Sequence, residues 1–317
     1  MRRNLAALAA CLCAAWLSGC HGSYGRREPA ELIPADAAAV LSINWQAVRL
    51  DGDLSKFVKA AEIKQVFAEL NVNESAVEGV SVFSDGSDGE RGSTGMILSG
   101  SFEPDEVADS LRQRGWMPEA REGRDVYMKP ADGTRCAALD SGALVCGTRK
   151  AVEGVLRVES EGGASFASTD AFERLSPALG EGDHPVTMMI AFPQHLQDAA
   201  DAALTVSSVV MDFAGVGALG QVMGKIGYSR SIGCAIDRDG DLFPVQLVAV
   251  MKDEEAATFV SGGITLLKGL GALAGQPAAR TAEEAEALRN FQNMSVAREG
   301  DTLSIGLVLS RRSLLPQ

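Results

Sequence analysis

The fold of this chain is decided by the stretch Phe243–Met251, FPVQLVAVM, whose odd-numbered positions are all apolar. Alternation with a period of two places these side chains on one face of an extended strand. One continuous apolar face is typical of antiparallel sheets, whereas a parallel sheet is buried on both faces. The acidic segment Asp253–Glu255 follows and suits the positive end of a helix. The stretch therefore predicts an antiparallel strand that leads into an amphipathic helix.

The same order occurs earlier in the chain. The apolar strand pattern Met96–Phe102 runs into Pro104-Asp105-Glu106, a second helix start with acidic residues. We predict an α+β fold of two related halves, residues 32–165 and 183–312, joined by a helix or linker at 166–182. Each half is expected to be a mainly antiparallel sheet with helices on one face, of the ferredoxin-like, split β-α-β type. A single sheet that spans both halves is equally compatible with the pattern.

The amino terminus predicts export. Arg2 and Arg3 precede an apolar run, Leu5–Leu17, and small residues lead to Cys20. This order is that of a secretory signal rather than a membrane-spanning helix. Its ending, Leu-Ser-Gly-Cys, resembles the lipobox of bacterial lipoproteins, which implies cleavage before Cys20 and a lipid on its thiol. We expect residues 1–19 to be a signal peptide, 20–31 a flexible tether and 313–317 a tail.

Net charge excludes one class of partner. The formal charge is −13 at pH 7, and loss of Arg2 and Arg3 with the signal makes it more negative. Affinity for nucleic acid comes mainly from Lys and Arg that neutralise phosphates, so nucleic acid is not expected as a partner. The expected partners are the membrane, through the lipid, and an envelope protein or apolar ligand. The residue after the anchor, His21, is not Asp, which in enteric-type bacteria implies the outer membrane, facing the periplasm.

Cysteine usage predicts a hairpin bridge. A three-residue loop at residues 140–142 would pair Leu139 with Ala143 and, further out, Cys136 with Cys146. Their side chains would then lie close enough for a disulfide, which persists in an oxidising compartment. A two-residue loop would shift this register, and the two cysteines would then be small buried apolar residues. Cys234 would remain free in either case.

Four segments carry a family resemblance, namely Pro34–Asp36, Leu98–Phe102, Gly123–Tyr127 and Gly142–Val152. Together they resemble a group of uncharacterised bacterial secreted proteins and lipoproteins that carry a domain of unknown function. The resemblance covers roughly the first two-thirds of the chain. It implies a duplicated α+β fold and no activity, because its motifs are structural turns rather than catalytic signatures.

Two motifs suggest ligand chemistry and have simpler interpretations. Gly215–Gly220 matches the dinucleotide fingerprint, with Asp237 about 20 residues on, but a helix rather than a strand is expected before it. A Gly/Ala-rich packing surface explains it better.

Asp237, Asp239 and Asp241 alternate as in calcium loops, yet an EF-hand needs Glu at its twelfth position, where Val248 stands. A charged hairpin turn is the preferred interpretation. No metal and no cofactor are expected.

The remaining candidates are a catalytic cleft and a membrane span. Neither His184 nor His195 belongs to a zinc-protease pair, and no Gly-x-Ser-x-Gly motif occurs, so a hydrolase would need a cleft gathering one of them with Ser and Asp. Residues 202–223 carry one charge, Asp212, and are long enough to span a bilayer. Several glycines and polar residues favour a buried helix pair instead.

Three functions follow from these observations. The first is a non-enzymatic, lipid-anchored cell-envelope protein that acts as a binding or structural module. The alternative is a periplasmic carrier of lipid or another apolar ligand, with residues 202–226 and 262–275 lining its cavity. The third is a hydrolase whose site is not visible in the sequence.

Overall fold

The computed structural model of the chain describes residues 27–87, 92–121, 124–180, 182–192, 229–274 and 282–311. The predictions made for the signal peptide, Cys20, Gly215–Gly220 and His195 lie outside these ranges, as do those for residues 202–226 and the tail. The lipid anchor on Cys20 and the interpretation of Gly215–Gly220 as a packing surface therefore remain predictions from sequence.

Within the described ranges, twelve strands form one sheet, and all its neighbouring strands are antiparallel. In chain order they are β1 (Ala39–Asn44), β2 (Val77–Ser84), β3 (Thr94–Gly100), β4 (Met117–Arg121), β5 (Arg124–Met128), β6 (Arg135–Ala138), β7 (Leu144–Gly147), β8 (Val186–Ala191), β9 (Ser229–Ile236), β10 (Leu242–Met251), β11 (Ser295–Glu299) and β12 (Thr302–Ser310). Across the sheet they lie in the order β11-β12-β10-β9-β8-β1-β2-β3-β7-β6-β5-β4. The predicted α+β class with a large antiparallel sheet is confirmed, in its single-sheet form.

Nine α-helices occur in the described ranges: α1 (Pro29–Leu32), α2 (Trp45–Leu50), α3 (Gly52–Phe57), α4 (Ala60–Leu70), α5 (Pro104–Gln113), α6 (Arg149–Glu161), α7 (Asp170–Leu179), α8 (Glu254–Ala274) and α9 (Ala282–Asn293). The predicted tether, residues 20–31, ends earlier than expected, because its last three residues belong to helix α1. Pro29 suits the first position of a helix, and Leu32 and Ile33 are buried. Helix α7 lies within the predicted connection 166–182. None of the helices described is both long and apolar enough to cross a membrane.

The sheet has a similar strand order on each side of its β1–β8 contact. Outward from β1 come β2, β3, β7 and β6, and outward from β8 come β9, β10, β12 and β11. After β10 the helical connection α8–α9 leads to β11, which is parallel to β10 beyond one inserted neighbour, β12. After β3, helix α5 leads to β4 at the edge of the sheet, beyond three inserted strands. However, β1 pairs directly with β2, whereas a ferredoxin-like order separates the first two strands. The ferredoxin-like arrangement is therefore not formed by the described strands.

Helices cover both faces of the sheet, which corrects the prediction of helices on one face. On β10, Val245 and Leu247 belong to one apolar cluster, with α2, α4, α5 and α8. Val248 and Val250 belong to a second cluster, with α6 and α7, on the opposite face. The reason is visible in the sequence, since two even positions of FPVQLVAVM are also apolar and need burial.

Candidate functional site

A polar cleft of about 670 Å³ lies over the central strands on the face of the sheet that carries α6 and α7. Helix α6 packs on β3, β6 and β7, while α7 packs on β8, β9 and β10. Strands β1 and β2 therefore lie between the two helices. The cleft opens in this gap, and α1 and α7 contribute to its walls.

The floor of the cleft is a row of hydroxyl groups on three adjacent strands. Ser42 on β1 lies opposite Ser81 on β2 and, on its other side, opposite Thr187 on β8. The Oγ atoms of Ser42 and Ser81 are 3.1 Å apart, a hydrogen bond in which either can donate. Ser81 is only 2% exposed. Burying a hydroxyl is unfavourable unless it is hydrogen-bonded, so this pair satisfies part of the requirement.

A second polar row lies one step along the strands. Asn44 is opposite Gly79, and Gly79 is opposite Ser99 on β3. The Asn44 side chain also begins helix α2, because its Oδ1 accepts a hydrogen bond from the Ala47 N–H at 3.1 Å. A side chain at position 79 would crowd the cleft, since a Cβ there would lie 2.7 Å from Ser99 Oγ. Glycine thus leaves the second row open.

The same strands are apolar at their other ends. On this face Val40, Phe83, Ile97 and Met189 join the cluster that packs beneath α6 and α7. The change from apolar to hydroxyl residues within each strand therefore marks where packed core ends and the cleft begins. Apolar residues at Ser42 and Thr187 would have been the ordinary choice for a filled core.

The described lining of the cleft carries three acidic side chains, and its one basic side chain is His184. Glu28, Glu78 and Asp183 are among its lining residues, and no Lys or Arg in the described part of the chain lines it. Glu28 and Asp183 are exposed at the mouth. Glu78 on β2 is half-buried, and the floor formed by the hydroxyl row is itself uncharged.

His184 lies at the edge of the cleft and pairs with Asp237. Its Nδ1 is 2.8 Å from Asp237 Oδ1, and its Nε2 is 3.4 Å from the Gly180 carbonyl oxygen. Ser176 also lines the cleft, so His, Asp and Ser do come together here. Among the residues that the structure describes, however, no serine hydroxyl is hydrogen-bonded to His184. A serine nucleophile activated by histidine requires that contact.

The calcium interpretation of Asp237, Asp239 and Asp241 is not supported by the geometry. Asp237 is held by His184, and the Asp239 N–H donates to the Leu242 carbonyl at 3.0 Å within the β9–β10 turn. Across the described ranges, no three His, Cys, Asp or Glu side chains converge as a metal site would require. The segment is the hairpin turn between β9 and β10, which was the preferred interpretation of its sequence.

Cys136 and Cys146 form the predicted disulfide. They lie directly opposite each other on β6 and β7, with Cα atoms 4.1 Å apart. The register is that of the three-residue loop, because the Leu139 N–H donates to the Ala143 carbonyl at 2.8 Å. Cys234 is free and buried, and burial raises the pKa of its thiol to about 12.

A second, apolar cleft of about 320 Å³ lies beside the disulfide on the opposite face of the sheet. Val66, Leu70, Met96 and Trp116 line it together with the two cysteines. At its rim Lys129 pairs with Glu69 at 3.0 Å. The apolar cavity predicted from sequence involved other residues, most of which lie outside the described ranges.

Sequence reasoning missed the serine and threonine residues of the polar cleft. The available signal was weak: Ser42, Ser81 and Thr187 each lie between two apolar neighbours within a strand. That these three side chains lie in one row across the sheet follows only once β8 is known to pair with β1.

No protein-family model matches the chain, and no curated protein matches it. Among solved structures it is similar to three crystal forms of TP0453. Form III is 13% identical with a TM-score of 0.48, over 91% of this chain and 96% of that chain. Form IV is 12% identical with a TM-score of 0.49, over 92% and 97%. Form I is 12% identical with a TM-score of 0.46, over 90% and 94%. TM-scores below 0.5 do not establish a shared fold.

Proposed function

We propose that this chain is a non-enzymatic binding module of the cell envelope, held at the outer membrane by a lipid on Cys20 and facing the periplasm. The polar cleft is its ligand site. The observation that carries the proposal is the row Thr187–Ser42–Ser81, which faces a cleft of about 670 Å³ instead of a packed core.

Binding explains the hydroxyl row better than a purely structural role. Hydroxyl groups in the middle of a sheet stabilise it less than apolar side chains of similar size. The same groups supply donors and acceptors that can fix the orientation of a ligand. Among the residues that the structure describes, the His184–Asp237 pair has no serine in hydrogen-bond contact, which is consistent with the proposed non-enzymatic role.

The proposed anchor concentrates the module at the membrane. Confinement raises the effective concentration of weak partners in the same envelope. One acyl chain binds a bilayer only marginally, so stable attachment needs more than one. The anchor, the signal peptide and the envelope location rest on residues 1–20 of the sequence alone.

The anchor is tested with the full chain expressed in a bacterial host. Cys20→Ala should abolish incorporation of labelled palmitate and release the protein from the membrane fraction. Ser18→Ala, a neighbouring change that keeps the small residue, is the matched control and should leave both unchanged. An intact, unacylated amino terminus on the native protein, seen by mass spectrometry, would overturn the anchor.

The ligand site is tested by native mass spectrometry of the anchored protein extracted from its own membranes. A small-molecule adduct is expected on the wild type and should be lost in Thr187→Leu, which fills the cleft. Thr258→Leu, on an exposed position of α8 across the sheet, should retain it. A wild type without adduct, or equal adduct on the Thr187 variant, rejects this cleft as the binding site.

A second candidate function, carriage of an apolar ligand, is favoured by the cleft beside the disulfide. Its volume of about 320 Å³ is at the lower end for small-molecule sites. Val66→Trp should fill this cleft and reduce binding of a fluorescent dansyl fatty acid. Leu50→Trp, at an 82% exposed position, is the control. Equal fluorescence from both variants rejects carriage at this cleft.

A further inference from the structure

We infer that the polar cleft binds a neutral, hydroxyl-rich ligand of the carbohydrate class. The inference rests on the proposed binding function and assigns its ligand. It follows from the chemistry of the floor, the mouth and one wall of the cleft.

The floor matches hydroxyl groups better than it matches charges. Ser42, Ser81, Ser99 and Thr187 each offer one O–H donor and acceptor lone pairs. A sugar hydroxyl has the same dual capacity, so each can pair in either direction without leaving a buried group unpartnered. The side-chain amide of Asn44, which also lines the cleft, adds two donors from its nitrogen.

The charges around the cleft disfavour anions. A phosphate or carboxylate is normally held by Arg, Lys or a helix N-terminus. No Lys or Arg of the described part of the chain lines the cleft, and Glu28, Glu78 and Asp183 would repel an anion. His184 at the edge of the cleft is paired with Asp237. Their carboxylate oxygens can instead accept hydrogen bonds from hydroxyl groups.

A cationic ligand is also disfavoured, because the deepest part of the cleft is neutral. Taking a cation out of water requires a compensating charge close to it. Glu28 and Asp183 are exposed at the mouth and Glu78 is half-buried, whereas Ser81 at the floor is 2% exposed and uncharged. A cation at the floor would therefore lose hydration without gaining an ion pair there.

One wall of the cleft is apolar. Phe172 and Leu179 of α7 line it, together with Met189, which lies two residues beyond Thr187 on β8. A sugar ring has an apolar C–H face as well as hydroxyl groups, and such a face packs on aromatic and aliphatic side chains. The volume of about 670 Å³ lies within the usual range for small-molecule sites.

The test uses isothermal titration of the full chain with four probes: glucose, N-acetylglucosamine, glucose 6-phosphate and spermidine. We expect at least one neutral sugar to bind, and glucose 6-phosphate to bind at least about tenfold more weakly than glucose. Ser42→Ala should weaken sugar binding about tenfold, as expected for one lost hydrogen bond. Ser261→Ala, also half-buried but on α8 across the sheet, should not. Ser99→Ala is the second variant if Ser42→Ala fails to fold.

The outcomes separate this inference from the function on which it rests. Binding of spermidine, or of glucose 6-phosphate as tightly as glucose, that Thr187→Leu abolishes would overturn the neutral carbohydrate class and leave the cleft as a binding site. Failure of both neutral sugars, with a native adduct still lost in Thr187→Leu, would do the same. If neither neutral sugar binds and the wild type also carries no native adduct, both the binding site and its carbohydrate ligand are rejected.

Discussion

An ion pair between Asp51 and Arg238 joins the half of the sheet that begins with β1 to the half that contains β9 and β10. Asp51 precedes helix α3, and Arg238 lies in the β9–β10 turn; Asp51 Oδ2 is 2.9 Å from Arg238 Nε. The other oxygen of Asp51 accepts hydrogen bonds from the N–H groups of Asp53 and Leu54, at 2.8 and 2.9 Å, and so caps α3. One carboxylate thus satisfies a helix start and an ion pair to a distant segment.

Replacing Asp51 should separate these two roles. Asp51→Asn keeps an oxygen for the cap and loses the charge, so we expect a loss of about 0.5–1 kcal/mol in the free energy of unfolding. Asp51→Ala loses both and should cost about 1–2 kcal/mol. Urea unfolding measures each value. If Arg238→Gln destabilised Asp51→Asn as much as it destabilises the wild type, the ion pair would contribute nothing.

The disulfide between Cys136 and Cys146 should stabilise the chain substantially. It closes a loop with a sequence separation of 10, and chain entropy for such a loop predicts about 3 kcal/mol. Cys136→Ser with Cys146→Ser should lower the free energy of unfolding by that order, and reductant should act only on the wild type. Native Cys234 should resist alkylation, because burial raises its thiol pKa to about 12. A count of three free thiols in the unreduced, denatured mature chain would contradict the bridge.

Local sequence was sufficient for the hairpin and the sheet type. The loop at residues 140–142 set the register that joins Cys136 to Cys146, and alternation in Phe243–Met251 indicated antiparallel pairing. Local sequence was insufficient to predict helices on both faces of the sheet. The prediction used only the odd-numbered apolar face of β10, and Val248 and Val250 form a second apolar face. An alternating pattern indicates a strand, but burial of both faces depends on helices elsewhere in the chain.

The polar cleft could not be located from sequence for a different reason. Ser42 and Thr187 are far apart in the chain and meet only because β1 pairs with β8. No turn signal specifies a pairing between strands that distant in sequence. Single serines in apolar strands are also common, so their convergence on one face is a property of the assembled sheet.

Acid should weaken the contact between Arg174 and Asp301. Arg174 on α7 is ion-paired with Asp301 in the β11–β12 turn, and its hydrogen bond holds the pKa of that carboxyl below its usual value. A carboxyl with a lowered folded-state pKa stabilises the fold above its unfolded pKa of about 3.9. That contribution disappears as the pH falls through the lower, folded-state value.

We therefore expect Asp301→Asn to cost about 1 kcal/mol at pH 7 and progressively less below pH ~4. Denaturant unfolding across this pH range measures the difference from wild type. Glu254→Gln breaks the pair with Arg298, in which Glu254 is 69% exposed, and should have a smaller effect. A difference that stays constant from pH 7 to pH 3 would show that ionisation of Asp301 plays no part.

Two glycines should respond to alanine in opposite directions. Gly100 ends β3 where the Ala76 carbonyl approaches, and a Cβ on residue 100 would collide with that oxygen, a backbone atom. The Ser101 N–H also donates to this carbonyl at 3.1 Å, so the carbonyl cannot move away without losing a hydrogen bond. Gly262 lies within α8, and a Cβ there would meet no atom within 4 Å.

Gly100→Ala should lower the free energy of unfolding by about 2 kcal/mol or more, as overpacking does. Gly262→Ala should raise it by about 0.5–1 kcal/mol, because alanine is the better helix former. Urea unfolding of the two variants side by side measures both changes, and a tolerated Gly100→Ala would mean that the β2–β3 edge can shift to accept a methyl group.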